Sequence, residues 1–235
     1  MKATTSSGRD WSVQPPYLHE PYKATVLRSP RNPLVPVMDG LSSLAGPVFG
    51  HGSVEPGDAD LTRVSGSVAE AIGQRIHVAG RILDEDGRAV ANTLVEIWQA
   101  NAAGRYFHAV DRHDAPLDPN FVGAGRCLTD ASGAYRFTTI HPGAYPWRNH
   151  PNAWRPSHIH LSLFGSLFSS RLVTQMYFPG DPLLPLDPIF NSVPDQDARE
   201  RLVSTYDPDL SEAEFALGYR FDLVLRGRAA TPMEA

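Results

Sequence analysis

Prolines and glycines interrupt this chain so often that long helices have little room: 21 prolines and 19 glycines are dispersed through 235 residues with no repeating period. Proline fixes φ and removes a backbone donor, and glycine weakens any regular element it enters. Short strands joined by turns are what such a chain can form. The β-forming runs lie between the breakers. Ile76, Val78 and Ile82 alternate with polar or small residues up to an Asp86-Gly87 turn. Further runs follow at residues 93–98, 126–129, 134–139, 158–164, 172–178 and 219–225. Asp130-Ala131-Ser132-Gly133 predicts a hairpin between the runs at 126–129 and 134–139. The spacing predicts an all-β fold with an antiparallel β-sandwich core and few short helices. One segment, 195–204, reads as a helix, with Pro194 and Asp195 at its start.

The first 73 residues lack this periodicity. A proline-rich stretch, 17–36, contains Arg28-Ser29-Pro30-Arg31-Asn32-Pro33, and 40–57 is irregular again. A purely polar segment would stay disordered. This one carries Trp11, Tyr17, Tyr22, Leu27, Leu34, Val37 and Phe49, which predicts an extended arm lying on the core or on a partner. The expected organisation is an N-terminal arm at 1–73, a sandwich domain at 74–228 and a C-terminal tail at 229–235.

Composition narrows the function classes. The net charge is −5 and no Lys/Arg run makes a basic stripe, so nucleic acid is not an expected partner. Cys127 is the only cysteine, which leaves no internal disulfide. No apolar run approaches the roughly 20 residues that span a bilayer. The N-terminus lacks the apolar core of a secretory signal, so the expected location is cytoplasmic.

His158-Ile159-His160 opens a predicted strand. Side chains at i and i+2 share a face, about 6.5–7 Å apart, so two imidazoles can converge on one metal ion while Ile159, Leu161 and Leu163 face the core. A pair of surface or hydrogen-bonded histidines would look the same. Upstream lies a polar, aromatic, proline-fixed loop, Gly143-Ala144-Tyr145-Pro146-Trp147-Arg148-Asn149, and Tyr106 follows the second strand. Loops on a rigid sandwich are where catalytic groups tend to sit, although either tyrosine alone reads as a core or interface residue. Zinc would call for Cys, His or carboxylate ligands, and calcium or magnesium for several oxygens from carboxylates or carbonyls. Phenolate is a hard anionic donor suited to Fe(III), and its proton, with a pKa near about 10, is displaced only by a strongly charged ion. An Fe(II) oxygenase would show two histidines and a carboxylate instead.

The run from Gly143 through Trp154-Arg155-Pro156-Ser157-His158-Ile159-His160 closely resembles the iron motif of the intradiol ring-cleavage dioxygenase family. Leu94-Val95-Glu96-Ile97-Trp98-Gln99-Ala100-Asn101 through Arg105-Tyr106 resembles the family's other ligand region. Likeness extends to Gly125-Arg126-Cys127-Leu128-Thr129-Asp130, Thr174-Gln175-Met176-Tyr177-Phe178, Gly180-Asp181-Pro182-Leu183 and Tyr219-Arg220-Phe221-Asp222, and covers roughly residues 11–226. The arm, from Tyr22-Lys23-Ala24 to Arg28-Ser29-Pro30, is similar to that of the family's two-chain, protocatechuate-cleaving members.

The resemblance implies one Fe(III) per chain, bound by Tyr106, Tyr145, His158 and His160, with Tyr145 the ligand that leaves when substrate arrives. It implies that Arg155 stands beside the substrate ring and that Gln175, Trp147, Ile189 and Tyr22 surround the pocket. The expected activity is cleavage of protocatechuate with O2 to a 3-carboxymuconate, in aromatic catabolism by the β-ketoadipate route. The iron-bearing β chain would act with an α subunit in αβ units of a larger oligomer. Two rival readings are a homodimeric catechol or hydroxyquinol dioxygenase, which would need a helical N-terminal dimerisation segment, and a non-catalytic transthyretin-like binding module.

Overall fold

A computed structural model describes residues 10, 12–33, 50–64, 67–165 and 171–234. Trp11, Leu34, Val37 and Phe49 of the arm lie outside the described residues. Eleven strands are found among the described residues: β1 (Arg75–Leu83), β2 (Leu94–Trp98), β3 (Ala124–Leu128), β4 (Ala134–Ile140), β5 (Tyr145–Pro146), β6 (Trp154–Arg155), β7 (His158–Phe164), β8 (Arg171–Tyr177), β9 (Thr205–Tyr206), β10 (Leu217–Arg220) and β11 (Leu223–Val224). One sheet runs β3-β2-β7-β8, all antiparallel. The second is centred on β1, which pairs β4 antiparallel on one edge and β10 and β11 on the other. Alternating residues of both sheets meet between them: Ile76, Val78 and Ile82 from β1 and Phe137 from β4 pack with Val95, Ile97, Ile159, Leu161, Leu163 and Met176. The expected β-sandwich is therefore the fold observed.

Three local expectations change. The strands flanking Asp130–Gly133 do not form a hairpin, because β3 pairs β2 while β4 pairs β1 in the opposite sheet. The turn is tight, with Gly133 N donating to Asp130 O at 3.0 Å. Its arms splay because each strand's backbone groups are already taken by a different neighbour. Second, β1 pairs β10 and β11 in parallel. The single run expected at 219–225 is broken where Phe221 N donates to Ala79 O and the Asp222 side chain accepts from Arg81 N. Third, the helix expected over 195–204 is only Gln196–Glu200 (α3), N-capped by Asp195, whose carboxylate accepts from Ala198 N at 2.7 Å. Beyond it the chain is drawn onto β8: Tyr177 N donates to Leu202 O and Ser204 N to Tyr177 O. Tertiary pairing outweighs helix propensity here. Two other short α-helices, α1 (Lys23–Arg28) and α2 (Pro188–Asn191), complete the described α-helices, alongside three 3-10 turns at His51–Ser53, Pro56–Ala59 and Leu184–Leu186.

The described residues near both termini are tied down. Val13 is buried with Tyr177, Val193, Ala198 and Leu202. The Gln14 side chain accepts from Met233 N at 2.7 Å. Residues 230–232 are buried, and Glu234 N donates to Val173 O. Cys127 is buried on β3, and desolvation pushes its thiol up to about 12, so it is no nucleophile at neutral pH. Among the described residues, no helix is long and apolar enough to cross a membrane.

Candidate metal centre

Strand registers assemble the site. In β7 the even-numbered side chains His158 and His160 share one face while Ile159, Leu161 and Leu163 are fully buried on the other. The β7–β8 register sets Tyr177 opposite His158 and Gln175 opposite His160, and the β2–β7 register sets Trp98 opposite His160. The β5–β6 ribbon sets Tyr145 opposite Arg155. Strand pairing thus brings seven polar or aromatic groups to one end of the sandwich.

The two imidazole rings lie 4.9 Å apart, edge to face. His158 donates from Nδ1 to Pro156 O at 2.7 Å, and His160 from Nδ1 to Glu234 Oε2 at 3.1 Å. With the Nδ1 proton directed outward, each Nε2 keeps its lone pair for the site. Burial holds His158 well below the ordinary histidine pKa, and the charges of Arg155 and His160 push it the same way, so the ring is neutral. Trp98 stacks on His160 at 4.8 Å with the planes 5° apart. For Glu234, burial raises the carboxyl pKa, but His160, Arg155 and Gln175 outweigh it and leave a carboxylate below its usual range.

The tyrosines come from two loops pressed backbone to backbone. Asn101 O accepts from both Gly104 N and Gly143 N, and Asn101 Oδ1 accepts from Ala103 N and Arg105 N. A Cβ on Gly104 would lie 2.1 Å from Ala144 O, and one on Gly143 would lie 2.5 Å from Ala102 O, so only glycine permits this approach. The Tyr106 and Tyr145 rings meet edge-on at 5.4 Å, and Tyr145 Oη lies 3.3 Å from His158 Nε2. Tyr106 Oη is buried with no hydrogen-bond partner. Burial and then the neighbouring Tyr145 hold the Tyr106 phenol well above its usual pKa, and burial raises Tyr145 also. Without a cation both phenols keep their protons. An orphaned buried hydroxyl is costly, and a multivalent cation at this point would both ionise and satisfy it. Among the described residues, no group of three or more His, Cys, Asp or Glu side chains is placed to hold a metal, so a centre here requires the tyrosines. The donor set of two phenols and two imidazoles fits a ferric ion.

Arg155 is neither a surface salt bridge nor a lone cation. It is 3% exposed, and its Nε and Nη2 donate to Asp187 Oδ2 at 3.2 and 3.0 Å. Nη2 also donates to Tyr177 Oη and Gln175 Oε1. Burial works against its charge, but Tyr177, Asp187 and Tyr145 outweigh it and the guanidinium stays protonated. Asp187 is held in turn by the start of α2, where its Oδ1 accepts from Ile189 N at 3.1 Å. Ile189 is joined to the cluster through that amide. Outward from Arg155 two aromatic rings lie between two cations: Trp147 at 5.4 Å, Tyr22 at 5.5 Å from Trp147, then Arg28 at 5.0 Å from the Tyr22 ring. Asn149 pins this part of the arm by accepting from Lys23 N and donating to Pro21 O. All the residues singled out in the sequence thus sit in one contiguous cluster. Reading the sequence missed four members. Tyr177 stands two residues after the recognised Gln175, Trp98 ends the β2 run, and Asp187 precedes a proline as a helix cap does. Glu234 carries no local signal.

A family profile described as "Dioxygenase" matches residues 44–227, and one described as "Protocatechuate 3,4-dioxygenase beta subunit N terminal" matches residues 8–39. The chain is 60% identical over 231 residues to a protocatechuate 3,4-dioxygenase beta chain of Burkholderia cepacia, covering 98% of each chain. It is 28% identical to a protocatechuate 3,4-dioxygenase alpha chain of Pseudomonas putida, over 69% of this chain and 76% of that one. In fold it is similar to 3-chlorocatechol 1,2-dioxygenase of Rhodococcus opacus, with a TM-score of 0.54 at 22% identity, over 73% of this chain and 65% of that one. With a sandwich carrying two phenols and two imidazoles at one end, and with these matches along nearly its whole length, the chain belongs to the intradiol dioxygenase family, on the branch of the protocatechuate 3,4-dioxygenase beta chains.

Proposed function

We propose that this chain is the iron-bearing subunit of an enzyme that cleaves protocatechuate between its two hydroxyls with O2, giving 3-carboxy-cis,cis-muconate. One Fe(III) bound by Tyr106, Tyr145, His158 and His160 would supply a Lewis acid that takes up the diol and draws electron density from its ring. The observation that carries this reading is the partnerless Tyr106 hydroxyl beside Tyr145, facing two imidazoles whose Nδ1 protons are committed elsewhere.

The protein's own groups have definite parts. With the ion bound, Tyr145 would be held as a phenolate, and its Oη, opposite Arg155 in the β5–β6 ribbon, would be the base that takes a proton from an incoming hydroxyl. The Arg155 guanidinium is held rigid by Asp187, Gln175 and Tyr177, and it stabilises negative charge gathering on the ring. Such a preplaced donor in a dry site is worth about 2.7–4 kcal/mol by analogy with oxyanion-hole groups. Trp147, Tyr22 and Ile189 form the aromatic and apolar surround. Residues 1–73 serve as an arm at a subunit interface, 74–228 as the catalytic domain and 229–235 as the tail. An α subunit completes the pocket in αβ units of a larger assembly, a reading supported by the paired alpha and beta chain names among the relatives.

The test is the visible spectrum of the purified αβ protein before and after anaerobic protocatechuate. A tyrosinate-to-iron charge-transfer band that changes on addition, followed by ring-opened product once O2 is admitted, is the expected result. A colourless, iron-free protein in an active preparation would refute the reading.

A further inference from the structure

The reaction residues all belong to the sandwich, yet one group touching them comes from the far end of the chain. Residues 230–234 are fastened at every step, to Arg201, to β11, to β8 and to the arm. Arg201 Nε donates to Ala230 O at 3.1 Å. Thr231 and Val224 exchange two hydrogen bonds, Thr231 N to Val224 O and Val224 N to Thr231 Oγ1. Thr174 Oγ1 donates to Pro232 O at 2.7 Å, and Glu234 N donates to Val173 O at 2.8 Å. Thr174 and Val173 immediately precede Gln175, so the strap ends beside the site. The Glu234 carboxylate then reaches His160 Nδ1 at 3.1 Å.

From this geometry we infer that Glu234 is a positioning residue for the metal centre: it fixes the tautomer and rotation of His160 so that Nε2 meets the ion. The inference rests on the ferric reading above. Two constraints act on the ring at right angles. Trp98, stacked at 4.8 Å, sets the plane of the imidazole, and Glu234 sets its rotation within that plane. The two histidines are then unequal donors. His158 gives its Nδ1 proton to a neutral carbonyl, that of Pro156, whereas His160 gives its proton to an anion. A carboxylate partner raises the basicity of the opposite nitrogen, which makes His160 the stronger of the two imidazole donors. The same carboxylate stands near the Gln175 side chain, whose Nε2 is buried with no hydrogen-bond partner and whose Oε1 accepts from Arg155. Through Gln175 the strap adjoins the residue that faces the substrate ring.

The experiment compares wild-type αβ enzyme with Glu234→Gln, which keeps size and shape but removes the charge, and with a chain shortened by deletion of residues 234–235. Three quantities are read: the rate of iron loss to a chelator, the position of the tyrosinate-to-iron band, and the melting midpoint of the iron-free protein. All spectra are taken well below each midpoint, so folded protein is compared throughout. Faster iron loss, by about 10–100-fold, together with a shifted band is the expected outcome for both variants. Iron loss within about twofold of wild type and an unmoved band overturn the inference, whatever happens to the melting midpoint. Should the wild type itself carry no iron and no band, the ferric reading fails instead, and the two failures are told apart.

Discussion

Arg155 and Asp187 meet at 3.0 Å with side chains only 4% and 0% exposed. Buried pairs are not a cheap source of stability, because desolvating both charges offsets most of their attraction. Removing one partner is another matter. Asp187→Ala leaves the guanidinium uncompensated and strips the cap from α2. A loss of about 3–5 kcal/mol is expected from the orphaned charge, with about 1 more from the cap. Equilibrium urea unfolding of the iron-free protein measures it. A loss under about 1 kcal/mol would mean that the pair is solvated in solution.

Arg155→Leu separates colour from turnover. The four donors are untouched, so the iron and its visible band are retained. Turnover falls by about 100–1000-fold, the scale of one lost oxyanion-hole donor. Steady-state oxygen uptake beside a metal assay reads both. Wild-type turnover in this variant removes Arg155 from the chemistry.

Tyr106→Phe moves two measurements in opposite directions. In the iron-free protein it deletes a buried hydroxyl that has no partner, and such deletions are neutral or stabilising, by up to about 1–3 kcal/mol. In the loaded enzyme it deletes a proposed ligand, so iron is lost on dialysis and the band weakens or shifts. A variant that melts lower without iron and yet holds iron normally contradicts this account of the hydroxyl.

The iron-free protein should weaken in mild acid. His158, His141 and His77 all have pKa values lowered by burial, with nearby positive charge adding to the effect at His158 and His77. The unfolded chain then binds more protons than the native one as pH falls below about 6.5. The sign follows from linkage: the stability is fully present above that value and is lost progressively as pH falls toward the folded pKa values. Iron binding, which needs neutral imidazoles, falls over the same range. Urea midpoints of the iron-free protein at pH 7.5, 6 and 5 (about one to two units around the histidine value) should decline in that order. A flat series would show that these rings are solvated.

Much of the fold was readable from period-two patterning, because a sandwich buries one face of each strand. Ile159, Leu161 and Leu163 point inward as their alternation with His158 and His160 requires. Pairing partners were less legible. Asp130–Gly133 has the composition of a hairpin turn, but what decides between a hairpin and a crossing is whether β3 and β4 find better neighbours elsewhere, and they do. Of the proposed donors, Tyr145, His158 and His160 fall in one short stretch of sequence, whereas Tyr106 stood out only through the likeness of its run to the family's. Asp187 and Glu234 were not legible, since each meets its partner across 32 and 74 residues. Only the closed fold brings them in.

The bare-backbone contact of Gly104 and Gly143 has one more implication. With no side chain between them, the two segments that present Tyr106 and Tyr145 cannot drift apart or be exchanged singly. They form a matched cassette. A chimera that borrows one segment from a relative while keeping its own version of the other would set the phenols at the wrong separation, and only transplanting both together would preserve the gap between them.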